Sequence, residues 1–427
     1  MVSSAAAAGQ GPSSQVDSEV TAAAKNGEIR VTLGRILGEH AFLLMELVRA
    51  EAAEAPERAA VRGALDDNSE DLRNAVASVY DATTGDTFLT RWNEHIELAV
   101  EYARAVAAGN SVKASATATE IDKARGRLVE LLVSVNPWLD PQAGGAALHL
   151  HLDQMRSFAD ADAGSAYAAE RQAYEHMFAF GDAFAKGIIK QYPDRYTDTR
   201  VAFSPAADLR IRLDRLLGEH VVLGGEAMRT GLVDSDASEP AQAALEANTK
   251  DLAELIGVVY GAEANAAFGY LWRTHIDAYL QYIDAVRAND VAEKERTLGA
   301  LRAYGPQFGA FIASANPQLS EDAVSMLIHH HTEALIAQVN AFAAKDYPRA
   351  FSTVREAYGH MFTVGDALSG AIAAQFPVQF ADIAVAPATS TEPDPPVRLW
   401  NSAVPVVAGL LALVLLLILP RRRLPRH

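Results

Sequence analysis

The chain has 427 residues, of which 50% are apolar, and its formal net charge is −17. This length exceeds that of an ordinary single domain and predicts two well-filled cores. The negative charge repels phosphate backbones, and the only dense basic cluster is the C-terminal "RRRLPR", so nucleic acid is not expected as a partner. The absence of cysteine excludes disulfides, thiolate metal sites and covalently attached haem. Any bound metal must therefore use histidine, carboxylate or methionine.

The N-terminal segment 1–27 is expected to be flexible, and helices follow it. Alanine, leucine and glutamate dominate the composition, and β-branched alternation is scarce, which is typical of an all-α protein. The apolar period is interrupted at "EAPE", "TTGD", "AAGN" and "NPWLDP". Six helices are therefore predicted in the first part of the chain, at 28–52, 58–81, 84–108, 112–135, 140–160 and 164–191.

The second part of the chain repeats the first at an offset of 180 residues. The segment "ILGEHAFLLMELVRA" returns as "LLGEHVVLGGEAMRT", and "SVNPWL" returns as "SANPQL". Further on, "RQAYEHMFAFGDAF" returns as "REAYGHMFTVGDAL" at an offset of 184, and four added residues are about one helical turn. We therefore predict two tandem homologous antiparallel helical bundles, at 28–196 and 206–383, joined by a short linker.

Every histidine of the first repeat has a counterpart in the second, although much of the surrounding sequence differs. The five pairs are His40 and His220, His95 and His275, His149 and His329, His151 and His331, and His176 and His360. His149 and His151 are two residues apart, about 200° around a helix, so both cannot face one centre. The apolar positions four residues away indicate that His151 and His331 are the inward members.

One inward histidine on each of four helices per repeat predicts a metal or haem site. Imidazoles that meet at one depth could bind a copper or zinc ion, or could supply the axial ligands of a non-covalent haem b. Met177 and Met361 could supplement a copper site. The predicted ligands are His40, His95, His151, His176, His220, His275, His331 and His360.

The alternative is a non-catalytic structural or interaction module at the cell surface. In it, the same histidines are buried packing residues within a polar network that recurs in both repeats. Its candidate members are Glu39, Glu46, Arg49, Asn68, Asp71 and Tyr80. An enzyme is not expected, because the sequence lacks the His-Glu-x-x-His, Glu-x-x-His, Gly-rich phosphate-loop and Gly-x-Ser-x-Gly patterns.

The C-terminal region predicts a membrane anchor. A Pro- and Thr-rich stalk at 384–401 precedes an apolar stretch at 402–420, and the basic tail 421–427 follows it. Trp400 marks the interface, and the positive-inside rule places the tail in the cytoplasm and both bundles outside the cell membrane. Since segment 1–27 lacks the features of a secretory signal, either a signal has been removed or the protein is tail-anchored; removal is favoured.

Several motifs shared by both repeats resemble those of a bacterial family. They are "LLGEH" ("ILGEH" in the first repeat), "N..DL", "F...W..HI", "R.A..HM" and the "NP" helix stop. The pattern resembles secreted or surface bacterial helical-bundle proteins of unsettled function, which are sometimes labelled through a fused copper amine oxidase N-terminal-like segment. The resemblance implies an envelope protein built from this helical module. It implies no activity, because the copper label belongs to the fused segment.

Overall fold

The computed structural model describes residues 12–160, 163–196, 202–233 and 235–380. Within these ranges the chain forms twelve α-helices and no strand, which confirms the predicted all-α class. The first six are α1 Pro12–Ala52, α2 Arg58–Val79, α3 Ala82–Ala107, α4 Ser111–Val135, α5 Pro141–Asp160 and α6 Ala163–Gln191. The second six are α7 Pro205–Leu232, α8 Ser238–Tyr260, α9 Ala262–Ala288, α10 Val291–Ala315, α11 Glu321–Ala343 and α12 Tyr347–Gln375.

Local sequence explains where these helices begin and end. Asp81 and Asn110 cap α3 and α4 by accepting hydrogen bonds from backbone N–H groups of the first turn. Ser204 caps α7 in the same way, and Pro205 follows it at the first helical position. One boundary differs from the prediction, since α1 begins at Pro12 and not at residue 28. The alanine-rich stretch before residue 28 favours helix, and the breaker signals that end the other helices are weak there.

Each set of six helices is arranged around its first helix. Helix α1 packs against α2, α3, α5 and α6, and α7 packs in the corresponding way against α8, α9, α11 and α12. Consecutive helices contact each other and are joined by short turns, as in antiparallel bundles. Helices α1 and α7 are therefore buried on nearly all sides, from Leu33 to Val48 and from Leu213 to Gly231. They carry the first histidine of each repeat.

The two sets pack against each other in a nearly two-fold arrangement. Helix α1 contacts α7, α2 contacts α12, and α6 contacts both α7 and α8. At the centre, the hydroxyl oxygens of Tyr174 and Tyr358 lie 3.0 Å apart, and the rings of Phe178 and Phe362 stack at 6.2 Å. Both pairs are equivalent positions of the two repeats. The interface between the repeats is therefore self-complementary, as in a symmetric dimer.

Two arginines, one from each repeat, form ion pairs across this interface in opposite directions. Arg355 of α12 contacts Glu39 of α1 at 3.0 Å and Asp71 of α2 at 2.6 Å. Arg171 of α6 contacts Glu219 of α7 at 2.9 Å and Asp251 of α8 at 2.6 Å. Each repeat thus supplies an arginine that neutralises a buried glutamate of the other.

The predicted membrane anchor lies outside the described residues. The stalk 384–401, the span 402–420 and the tail 421–427 all belong to that part of the chain. Among the helices that the structure describes, none is long and apolar enough to cross a bilayer.

Candidate metal centres

Three histidines from three helices meet inside the first repeat. His40 on α1, His95 on α3 and His151 on α5 each offer a ring nitrogen, and these nitrogens all lie within 4.8 Å of one another. The Nε2 atoms of His40 and His95 are 3.2 Å apart. The ring centroid of His151 lies 5.6 Å from that of His40 and 6.2 Å from that of His95. We call this group cluster 1.

The second repeat builds the same arrangement from the equivalent residues. His220 on α7, His275 on α9 and His331 on α11 also bring one ring nitrogen each within 4.8 Å of the others. The Nε2 atoms of His220 and His275 are 3.3 Å apart, and the ring centroids of His220 and His331 are 5.6 Å apart. We call this group cluster 2. Two independent copies of one geometry show that the arrangement follows from the shared sequence pattern.

Burial keeps all six rings neutral at physiological pH. It lowers the pKa of His95 to about 4, and those of His151 and His275 to about 3. The pKa values of the other three, His40, His220 and His331, are held well below their usual range, again chiefly by burial. A neutral imidazole carries one nitrogen lone pair, which is the form that binds a metal ion.

The hydrogen bonding of the clusters is incomplete. The contact between His40 and His95 can pair one ring N–H with one lone pair. By contrast, neither ring nitrogen of His151 or of His331 has a hydrogen-bond partner among the described residues. An unpartnered buried polar group costs about 1–3 kcal/mol, so such groups are rare without a function or a bound species.

His176 and His360 do not join the clusters, which corrects the predicted set of four ligands per repeat to three. The Nε2 atom of His176 lies 2.7 Å from the carbonyl oxygen of Ala147, and that of His360 lies 2.8 Å from the carbonyl oxygen of Leu327. Both rings are half-buried at the edge of the core. Helical spacing placed both histidines on the inner side of their helices. Each ring, however, bonds to a backbone carbonyl of the neighbouring helix and does not extend to the cluster.

The polar residues proposed as structural partners of the histidines bond elsewhere. Asn68 donates to the carboxylate of Glu39 at 2.8 Å, and Arg49 pairs with Glu46 at 2.8 Å. Asp71 pairs with Arg355, and Tyr80 donates to Gln191 at 3.3 Å. This network stabilises the interface between the repeats and the bundle ends. Among the described residues, it leaves the clusters without a carboxylate partner.

Aromatic rings, which the sequence did not identify as part of the site, enclose the clusters. The ring centroid of Trp92 lies 4.4 Å from that of His40 and 4.6 Å from that of His95. Trp272 takes the same place in cluster 2, where Tyr304 also stacks on His275 at 4.5 Å. The signal was present in the sequence, since a tryptophan precedes the α3 and α9 histidines by three residues in both repeats. Tyr304 has no such signal, because its equivalent is Ala124.

The arrangement of three neutral imidazoles suits a single metal ion. With metal–nitrogen bonds of about 2.0 Å, ligand nitrogens around one ion lie roughly 3.3–3.5 Å apart. The 3.2 Å and 3.3 Å separations already match this spacing. The third nitrogen, within 4.8 Å of the others, would need to move by about one ångström.

No protein-family model, curated protein or solved structure matches this chain. The resemblance to bacterial surface proteins therefore stays a prediction. Fold and geometry together describe two tandem six-helix units, each with three histidines gathered in its core.

Proposed function

We propose that each repeat binds one transition-metal ion, copper or zinc, through its cluster of three histidines. The observation that supports this proposal is that three buried ring nitrogens lie within 4.8 Å of one another, in both halves of the chain. The ligands are His40, His95 and His151 in one repeat and His220, His275 and His331 in the other. The donor set contains no carboxylate and no thiolate.

The alternative of purely structural histidines has one observation in its favour. The Nε2 atoms of His40 and His95 lie at hydrogen-bonding distance, so these two rings could satisfy each other. This pairing gives no role to His151, whose two nitrogens are unpartnered within the described part of the chain. A leucine there would avoid the cost of a buried polar group, yet histidine occurs at this position in both repeats. Metal coordination uses all three rings.

The charge of the site favours copper in its monovalent state. Three neutral ligands leave the full charge of the ion inside a dry core, and the energy of moving an ion from water to such a medium rises with the square of its charge. A monovalent ion therefore costs about a quarter as much to bury as Zn²⁺ or Cu²⁺. Imidazole suits both copper and zinc, so zinc remains the second candidate.

An isolated ion fits the geometry better than haem does. A porphyrin between two axial imidazoles needs a flat space wider than the rings themselves. Next to His40, Trp92 at 4.4 Å and His151 at 5.6 Å occupy this space. The proposed role is binding and not catalysis, because the cluster histidines are 4% exposed or less and leave little room for a substrate.

The proposed location is the outer face of a bacterial cell membrane, with the anchor at 402–420. Its support is the charge and hydropathy pattern of the sequence. In intact cells, an external protease should remove both repeats and leave the C-terminal tail protected. A chain that fractionates with soluble proteins would contradict this location.

The experiment for the metal is a loading titration of untagged protein purified without metal-affinity resin. We expect two equivalents of Cu⁺ per chain, measured by elemental analysis after removal of free ions. His151→Ala and His331→Ala should each reduce this to one equivalent, and the double variant should bind none. Loading with Zn²⁺ in parallel distinguishes the two metals.

His176→Ala and His149→Ala are the matched controls. Each removes a histidine from the same repeat and lies outside cluster 1, and His149 is exposed and pairs with Asp153. Both should retain two equivalents. Three-histidine coordination is wrong if the natural chain binds no ion, or if the controls lose as much metal as the cluster variants. Either result would favour structural histidines.

A further inference from the structure

A second histidine pair lies outside the clusters, on the surface of the second repeat. The ring centroids of His330 and His360 are 4.3 Å apart. His330 is exposed on α11, and His360 is half-buried on α12. Neither belongs to cluster 2, and the first repeat has Leu150 at the position of His330. The pair is therefore present in only one of the two repeats.

His360 contacts the helical turn that precedes His331 of cluster 2. Its Nε2 atom donates to the carbonyl oxygen of Leu327 at 2.8 Å, because a carbonyl can only accept. Leu327 precedes His331 by one helical turn, and side chains on a helix lean over the turn that precedes them. His360 thus lies against the turn of α11 that leads into His331.

The hydrogen bond fixes which nitrogen of His360 is available. Since Nε2 carries the proton that bonds to Leu327, the lone pair of the neutral ring is on Nδ1. A metal-binding histidine commonly donates its second nitrogen to a backbone carbonyl in this way, which orients the ring. His360 is therefore held as a ligand would be, next to an exposed histidine.

We propose that His330 and His360 form an outer metal-binding station, through which a copper ion passes from solvent to His331 and cluster 2. The series runs from exposed His330 through half-buried His360 to buried His331. Two imidazoles bind weakly enough to release the ion inward to three. Among the described residues cluster 1 lacks this pair, since Leu150 takes the position of His330.

This inference depends on the proposed function, and the test separates the two. Single-site chains are made with His151→Ala, which leaves cluster 2, and with His331→Ala, which leaves cluster 1. Cu⁺ is supplied as its coloured bicinchoninate complex, and the loss of colour gives the rate of loading. Equilibrium binding of one equivalent is measured on the same samples.

We expect cluster 2 to load faster than cluster 1 by on the order of tenfold, because a captured ion is held beside its final ligands at a high effective concentration. His330→Leu, which copies the first repeat, should lower the cluster 2 rate to that of cluster 1. Leu150→His should raise the cluster 1 rate by re-creating the pair with His176. Both substitutions are at exposed positions and should leave equilibrium binding unchanged.

His329→Ala is the matched control, since it removes a neighbouring exposed histidine outside the pair. It should leave the cluster 2 rate unchanged. If His330→Leu leaves the loading rate of cluster 2 unchanged and Leu150→His leaves that of cluster 1 unchanged, while each chain still binds one equivalent, the station is wrong. The proposed metal binding by the clusters is then unaffected. If no chain binds copper, the station fails, and if none binds zinc either, the proposed function fails with it.

Discussion

At the scale of single residues, the cluster histidines are unusual because their surroundings satisfy them so poorly. Trp92 and His95 enclose His40 on two sides, and the third ring has no hydrogen-bond partner within the described chain. The proposed metal ion would satisfy this ring. The buried carboxylates of the molecule could have served as partners, but Glu39 and Glu219 pair with arginines instead.

The metal-free protein should lose stability as the pH falls below about 6.5. In the unfolded chain a histidine titrates near 6.5, while burial lowers the pKa of His151 to about 3. Above 6.5 both states are neutral, and below it only the unfolded state gains the proton. Each such histidine therefore costs about 1.4 kcal/mol per pH unit down to its folded pKa.

Urea unfolding of metal-free protein at pH 7, 6 and 5 measures this dependence. His151→Leu should reduce the slope by about 1.4 kcal/mol per pH unit, because it removes one proton uptake from the unfolded state. His149→Leu, which removes an exposed histidine of the same helix, is the control. If the free energy of unfolding has the same pH slope in the natural chain and in the His151→Leu variant, burial of a neutral His151 is contradicted.

At the scale of the element, the shared Gly-Glu-His motif on α1 and α7 has three separate tasks. The histidine enters the cluster, and the glutamate pairs with the arginine of the other repeat. The glycine admits the tyrosine pair, since a Cβ atom on Gly218 would lie 2.5 Å from the hydroxyl oxygen of Tyr174. The glycine therefore faces the centre of the two-fold arrangement, the glutamate faces the interface between the repeats, and the histidine faces the core.

Gly218→Ala tests the role of the glycine. The added methyl group should destabilise the protein by about 1–3 kcal/mol, because both tyrosines would have to move. The control is Gly299→Ala on the exposed face of α10, where a Cβ atom has no neighbour within 4 Å. Alanine there should stabilise by about 0.5–1 kcal/mol through its helix propensity. Equal changes in the free energy of unfolding by urea for the two variants would contradict the close packing at Gly218.

Arg355→Ala tests the crossing ion pairs. It leaves the carboxylate of Glu39 buried and without its cation, so a loss of about 3 kcal/mol is expected. Arg171→Ala should cost a similar amount, because its contacts mirror those of Arg355. Arg302→Ala, which removes an exposed pair with Glu333, should change stability by less than about 0.5 kcal/mol. If Arg355→Ala lowers the free energy of unfolding no more than Arg302→Ala does, the crossing ion pair does not stabilise the protein.

At the scale of the whole molecule, the two repeats interlock. Tyr174, Phe178 and Arg171 of the first repeat each contact the second, and their equivalents Tyr358, Phe362 and Arg355 return the contact. The helices that carry the first cluster histidines, α1 and α7, lie against each other at this interface. The stability of each repeat therefore depends on the other.

The metal-free chain should accordingly unfold in one cooperative transition. Separate unfolding would expose the stacked phenylalanines and leave two buried glutamates without their arginines, which is costly. Differential scanning calorimetry should give a calorimetric enthalpy equal to the van't Hoff enthalpy. Two resolved transitions, one of them shifted alone by Arg171→Ala, would show that the repeats are independent.

The sequence by itself determined the all-helical class, most helix limits and the recurrence of the histidines, because these depend on local propensity and on the helical period. That period also indicated that His151, and not His149, turns inward. Only the tertiary structure decided that three of the four inward histidines converge, and that His176 stops at the carbonyl of Ala147. Helical spacing gives the direction of a side chain around its own helix. Its depth, and the helix it meets, depend on packing between elements far apart in the chain.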